Sequence, residues 1–212
     1  MRKFSILMPT FNRQEFIGKS IQAVIDQDYD NWELIIQNGG DSIEVPDDPR
    51  IKLYEEKDNG ITDAMNKAMR RATGDIFVWN NDDDLLAEGT LKFIDENLIN
   101  EWCCGRIQFS NGQLYGGYDR ELLKRTNIVA QPSVFWTRKA YETVGEMDED
   151  NDLVSDYEYW LRLDSKLKPQ FFDRVMAYYT IHPDQITSKI PHEQLAQANK
   201  VRQKYEKLYN GA

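Results

Sequence analysis

Cysteine is almost absent from this 212-residue chain, and the two present, Cys103 and Cys104, are neighbours. Adjacent cysteines rarely bridge each other, so a disulfide framework is excluded and a reducing compartment fits. Long hydrophobic runs are missing too. The Phe4-Ser5-Ile6-Leu7-Met8 stretch, closed by Pro9, is too short for a signal peptide or a membrane span, and no other stretch approaches 18 apolar residues. A soluble, cytoplasmic protein is expected, at most peripheral to a membrane. Basic runs are lacking: 26 Lys and Arg face 36 Asp and Glu, a net charge of -10, so nucleic acid is not an expected partner. There is no glycine-rich phosphate loop, nucleophile elbow, kinase motif set or zinc-spaced Cys/His set. An anionic substrate would need a metal ion or local dipoles to hold it.

What is present reads as an ordinary globular domain. Hydrophobic residues are 41% of the chain and charged residues 29%, which excludes disorder, collagen and coiled coil. A chain of this length buries roughly two-thirds of its unfolded surface and needs no disulfide or structural metal. Neither a repeat nor a linker is visible, so a single domain over 1–212 is expected. Within it, the pattern divides the chain into a first half over 1–100, a second over 101–190 and a terminal helix over 191–212.

The apolar pattern alternates strand and helix. Phe4 to Met8, Trp32 to Ile36, Ile51 with Leu53, and Ile76 to Trp79 read as strands. Phe16, Ile17, Ile21, Val24 and Ile25 stripe a helix over about 14–27; Ala64, Met65, Ala68 and Met69 mark a second; Leu91, Ile94 and Leu98 a third. That order predicts an α/β fold: a Rossmann-like, mostly parallel sheet flanked by helices. After residue 100, glycines interrupt aromatic, strand-like pieces, which suggests a smaller β region. A helix starts near Asp156, a strand covers 171–181, and a polar helix covers 192–208. In such sheets ligands sit beyond the carboxyl ends of the strands. Three polar clusters fall there: Thr10 to Arg13, Gln37 to Ser42, and Asn80 to Asp84.

Each cluster has a plain alternative. Asn81-Asp82-Asp83-Asp84 suits a hard cation, since Mg²⁺ and Mn²⁺ prefer oxygen ligands, or else a solvated acidic turn that caps the next helix. His182 is either structural or the nitrogen ligand that the acidic cluster lacks; His192 has no comparable context. Asp156 is either an N-cap or a general base. Thr10-Phe11-Asn12-Arg13 is either a cap with a solvated arginine or an anion site at a helix N-terminus. Asn38-Gly39-Gly40-Asp41 reads equally as a plain turn.

Taken in order, these segments resemble the family 2 glycosyltransferases of GT-A fold. The resemblance rests on Ser5 to Arg13, Gln27 to Ile36, Glu56 to Lys67, Thr73 to Leu86, Gln131 to Phe135 with Val144 to Asp148, Ser155 to Leu163, and His182 to Thr187. The Glu56 to Lys67 block is similar to a signature in a branch that builds surface polysaccharides. The resemblance implies an inverting, metal-dependent transferase. It would move a sugar from a nucleotide-diphosphate sugar, of uridine type, to a hydroxyl of a glycan or glycoprotein. It implies Asp156 as the base, and Asp83 with His182 as the site of Mn²⁺ or Mg²⁺. Thr10, Phe11, Arg13, Asn38, Asp63, Asn81 and Asp82 would contact the donor. Two departures stand out. Gln37-Asn38-Gly39-Gly40 replaces an Asp-Asp-Gly-Ser turn whose second Asp accepts from uracil. Asn81 replaces the first Asp of the Asp-any-Asp motif. The rival readings are a sugar-nucleotide pyrophosphorylase and a non-catalytic sugar- or cation-binding module.

Overall fold

The computed structural model describes residues 1–183, Gln185 and residues 191–210. The first half opens with strand β1 (Phe4–Thr10), helix α1 (Gln14–Ile25), β2 (Trp32–Asn38) and β3 (Ile51–Glu55). Helix α2 (Ile61–Arg71), β4 (Ile76–Trp79), β5 (Asp84–Leu86) and α3 (Thr90–Asn97) follow. The second half contains β6 (Trp102–Phe109), β7 (Leu114–Tyr115), α4 (Arg120–Leu123), β8 (Phe135–Thr137) and α5 (Arg138–Val144). It continues through α6 (Ser155–Lys166), β9 (Gln170–Tyr179) and α7 (Pro191–Asn210).

These strands make one nine-stranded sheet in the order β3-β2-β1-β4-β8-β6-β9-β5, with β7 paired to β6. The strands β3, β2, β1 and β4 are mutually parallel, and β6 is parallel to β9. The β4–β8, β6–β8, β6–β7 and β5–β9 pairings are antiparallel, and each involves a strand of the aromatic, glycine-rich half. The α/β architecture expected from the strand and helix order is therefore the one observed. Every residue of β1 and β2 is buried, as a parallel strand covered on both faces requires.

The two faces follow from strand alternation. Leu7 and Ile35 pack on one side with Met65 and Met69 of α2. Ile6, Met8, Leu34 and Ile36 pack on the other with Ile17, Ile21 and Val24 of α1 and Leu91 and Ile94 of α3. The first side also holds three buried tryptophans. Trp102 and Trp160 lie nearly parallel with ring centroids 6.3 Å apart, and Trp136 meets Trp160 edge-on at 5.9 Å. Such rings carry a large burial gain and a preferred geometry, so they fix α6 against β6 and β8. Helix α7 docks on the outer side of α6. The Tyr205 hydroxyl donates to buried Glu158 at 2.5 Å, and Glu158 is ion-paired to Arg162 at 2.8 Å. Position and direction of the first turn of α6 are thereby set from two sides.

Strand β5 is absent from the apolar pattern, which runs from Trp79 directly through the acidic cluster to α3. Three residues are too few to register as alternation. The strand exists through its pairing with β9, Leu86 opposite Ala177. Of the turn from His182 to Thr187, residues Asp184, Ile186 and Thr187 lie outside the described residues. Among the described residues no helix is long and apolar enough to cross a membrane.

Candidate active site

The carboxyl ends of three adjacent parallel strands bring the polar clusters together. Thr10 at the end of β1 is in register with Asn38 at the end of β2, and Leu7 with Trp79 at the end of β4. A cavity of about 1530 Å³ opens at this edge. Thr10, Phe11, Arg13, Asn81, Asp82, Asp83 and Asp156 all line it. Asn38, Asp63 and His182 do not.

Asp82 is buried, and the Thr10 hydroxyl donates to its Oδ2 at 2.6 Å. Burial pushes its carboxyl up to about 6, and neighbouring Asp83 pushes the same way; Thr10, Arg13 and His182 oppose. Asp83 meets two side chains on one oxygen. Arg13 Nη1 donates to Oδ2 at 2.6 Å, and His182 Nε2 lies 2.9 Å from the same atom. Arg13 also lies 3.7 Å from Asp82. The solvated-arginine alternative therefore does not describe Arg13, which stands at the N-cap of α1 with its guanidinium on the acidic pair. His182 is held from behind by Phe16, whose ring stacks on the imidazole at 4.4 Å.

Asn81 is held by three side-chain hydrogen bonds. Its Oδ1 accepts from Trp79 Nε1 at 2.7 Å, and its Nδ2 donates to Asp84 at 3.0 Å and to Gln131 Oε1 at 2.9 Å. Asp84 is completely buried, and burial holds its carboxyl well above the usual carboxylate range. Phe11 is 60% exposed, a large apolar ring free to lie against a planar ligand.

Asn38 has the hydrogen bonds of a turn. Its Nδ2 donates to the Asp41 carbonyl at 2.7 Å, and its Oδ1 accepts from Gly40 N at 3.0 Å. It is buried behind the cavity wall. Asp63, at the third position of α2, turns back to accept from Asn59 N at 2.9 Å and pairs with Lys67 at 3.2 Å. Both side chains shape loops beside the cavity.

Asp156 is not an N-cap. Val154 takes that place in α6 without a side-chain bond, and Asp156 is the second helical residue. Its Oδ2 accepts from Asn127 Nδ2 at 3.0 Å. Burial raises its carboxyl above the ordinary value against the backbone amide of Tyr157 and the Asn127 side chain.

Three cavity residues were not among the site residues expected from the sequence: Asn127, Asp152 and, inside the Glu56 to Lys67 block, Asp58. Asp152 caps α2 from 90 residues away, its Oδ1 accepting from Thr62 N at 2.8 Å. Gly60 makes that approach feasible. Its φ of 140° favours glycine, and a Cβ there would stand 2.6 Å from the Asp152 carboxylate. Asp58 has a similar relation to Gly39, where a Cβ would meet its carboxylate.

Among the described residues no three His, Cys, Asp or Glu side chains converge on one point as a metal centre would require. Asp83 and His182 nevertheless offer one carboxylate oxygen and one imidazole nitrogen within 2.9 Å of each other. That pair would supply two protein ligands to a divalent ion and leave the rest to non-protein oxygens, because Mn²⁺ accepts mixed oxygen and nitrogen donors and Mg²⁺ usually keeps several non-protein ligands.

The model of glycosyl transferase family 2 matches residues 5–167. A putative colanic acid biosynthesis glycosyl transferase, WcaA of Escherichia coli K12, is 27% identical over 183 residues, covering 75% of this chain. This chain spans 65% of that relative's length. A PGL/p-HBAD biosynthesis glycosyltransferase of Mycobacterium bovis is 24% identical over 194 residues, covering 83% of this chain and 76% of the relative. Among solved structures, Staphylococcus aureus TarS 1-349 in complex with UDP-GlcNAc has a TM-score of 0.71 at 15% identity, covering 94% of this chain and 65% of that one. The mannosyltransferase PcManGT of Pyrobaculum calidifontis, in complex with GDP-Man and Mn²⁺, has a TM-score of 0.70 at 18% identity, covering 95% and 64%.

Proposed function

We propose that this chain, which belongs to glycosyl transferase family 2, moves a sugar from a nucleotide-diphosphate sugar to a hydroxyl of a glycan or glycoprotein, with inversion at the anomeric carbon. The observation that carries the reading is the single cavity that joins Asp82 and Asp83 at the strand ends to Asp156 at the start of α6. A donor site and a base in one space are what a direct displacement needs. Two solved structures of the same fold, bound to UDP-GlcNAc and to GDP-Man with Mn²⁺, support a nucleotide sugar as the donor class.

In this reading the nucleotide lies across the ends of β1, β2 and β4, with Phe11 against the base and Asp82 at the ribose. The hydroxyl of Thr10 fixes the Asp82 carboxylate. Asp83 and His182 would hold Mn²⁺ or Mg²⁺, which when bound neutralises the charge that grows on the leaving diphosphate. Arg13, already on the acidic pair, adds a fixed positive charge beside it. Asp156 accepts the proton of the acceptor hydroxyl as that oxygen bonds to the anomeric carbon. The bond from that carbon to the diphosphate breaks on the opposite face, so no covalent intermediate forms. Within the family, a surface-polysaccharide acceptor is our expectation. The net charge of -10 is no obstacle, because the metal supplies the positive charge at the phosphates.

The test is a thermal-shift screen of UDP-, GDP- and ADP-sugars with and without Mn²⁺. At a hundred times Kd a true donor adds about 2.7 kcal/mol, a rise in Tm of roughly 5–10 °C for a domain of this size. A rise with a nucleotide sugar that needs Mn²⁺, and slow release of the nucleoside diphosphate, is the expected result. No rise with any of them would sink the reading, and release of pyrophosphate would assign the chain to a nucleotidyltransferase instead.

A further inference from the structure

Asn127 lies in the loop after α4 and belongs to none of the motifs that the sequence displays. It lines the cavity, and every group of its side chain and its carbonyl is engaged. Its Oδ1 accepts from Val129 N at 3.2 Å, which fixes which end of the amide is oxygen. Its Nδ2 must then point the other way, and it donates to Asp156 Oδ2 at 3.0 Å. Its carbonyl accepts from the Tyr115 hydroxyl at 2.7 Å, which ties the loop to β7 across the cavity. The amide cannot turn over without losing the Val129 bond.

We propose that Asn127 is the positioning residue of the Asp156 base: it holds the carboxylate in one rotamer, aims its other oxygen at the acceptor hydroxyl, and favours the charged form. The proposal rests on the reading of Asp156 as the base. The geometry supports it in three ways. Asp156 stands one residue past the first position of its helix and is not used as a cap. Among the described residues it makes no ion pair. Of the neighbouring elements, β7 places Tyr115 within reach of the Asp156 charge, while Asp152 before α6 and Arg202 on α7 line the same cavity. A side-chain donor that stays put is what separates an aimed carboxylate from one that rotates between two wells. Hydrogen bonding to the charged form also offsets part of the burial that raises the carboxyl.

Two variants separate positioning from loop structure. Asn127→Asp keeps an acceptor for Val129 N and replaces the donor with a like charge. Asn127→Ser keeps a short polar side chain at the turn but leaves no donor that reaches Asp156. The first readout is independent of activity: the Asp156 carboxyl titration by ¹³C NMR, with its resonance identified by its loss in Asp156→Asn. The second is release of nucleoside diphosphate from the best-stabilising nucleotide sugar at saturation, against pH, with water as acceptor. Asn127→Ser is expected to move the Asp156 titration and the acid limb of the rate upward by about one pH unit, the loss of one charge-assisted hydrogen bond. It should slow release about tenfold, with donor affinity unchanged. Asn127→Asp is expected to move both further. If either folded variant titrates and turns over as the wild type does, the proposal is overturned. If Asp156→Asn itself keeps near-normal release, the base assignment fails instead, and the two failures are distinguishable.

Discussion

The buried carboxylate of Asp84 takes its hydrogen bond from Asn81 Nδ2 at 3.0 Å, three residues before it. This contact gives a physical reason for asparagine at the place where the family's motif usually has aspartate. The same amide nitrogen reaches Gln131, whose own Nε2 donates to the Trp79 carbonyl at 2.6 Å. An aspartate at 81 could donate to neither partner and would face a carboxyl that is completely buried.

Asn81→Asp is therefore expected to destabilise the fold by about 1–3 kcal/mol, the cost of leaving buried polar groups unpaired. Urea denaturation at neutral pH reads it. Equal or greater stability would show that Asn81 is not chosen for Asp84.

Asp83→Ala should abolish the Mn²⁺-dependent part of nucleotide-sugar binding while the fold persists. Calorimetry with and without Mn²⁺, with unliganded Tm as the control, decides it. Unchanged donor affinity in Mn²⁺ would remove Asp83 from the metal site.

For the donor base, UDP is expected to bind more tightly than GDP or ADP. The expectation rests on the uridine-type donor that the resemblance implies and on the exposed Phe11 ring as a stacking surface, since the Asn38 side chain is buried and holds the turn through Asp41 and Gly40. A competition series with the three diphosphates checks this. A GDP preference would point instead to Asp58 on the cavity wall, because one carboxylate can accept both donor groups of guanine.

Glu33 gives a pH test of stability remote from the site. Burial alone would raise its carboxyl. Lys52 Nζ at 2.6 Å, Thr73 N at 2.6 Å, the Ser5 hydroxyl at 2.7 Å and Lys3 Nζ at 3.1 Å outweigh burial and lower it from 4.5 to about 2. A folded value below the unfolded one stabilises above pH 4.5, and the stabilisation is lost as pH falls through about 2. Glu33→Gln should cost roughly 2–3 kcal/mol at pH 7 and progressively less down to pH 2. A carboxyl lowered by one pH unit on folding gains about 1.4 kcal/mol, and solvent at the two lysines screens part of the total. A gap between the two proteins that is the same at pH 7 and pH 2.5 would contradict the assignment.

Much of the fold is legible because it is local. The fully apolar β1 and β2, the stripes Ile17-Ile21-Val24 and Met65-Ala68-Met69, and the placing of polar clusters at strand ends are properties of short windows. Strand β5 escapes such reading, since it owes its existence to β9. For the site, residue types and order suggested Thr10, Arg13, Asp82, Asp83 and Asp156, and all five line one cavity. The plain turn was an open reading for Asn38, whereas the resemblance offered Asp63 only as a donor contact; their hydrogen-bond partners place both beside the cavity.

By itself, then, the sequence determined the α/β class, the order of the elements and the edge of the sheet where chemistry gathers, because hydrophobic periodicity acts over a few residues. The tertiary structure alone decided which side chains meet. His182 reaches Asp83 over 99 residues, Asp152 caps α2 over 90, and Asn127 reaches Asp156 over 29. A hydrogen bond requires atoms about 3 Å apart at a set angle. That convergence is fixed by strand order, by the tryptophan packing that seats α6 and by the docking of α7, none of which has a local signature in the chain.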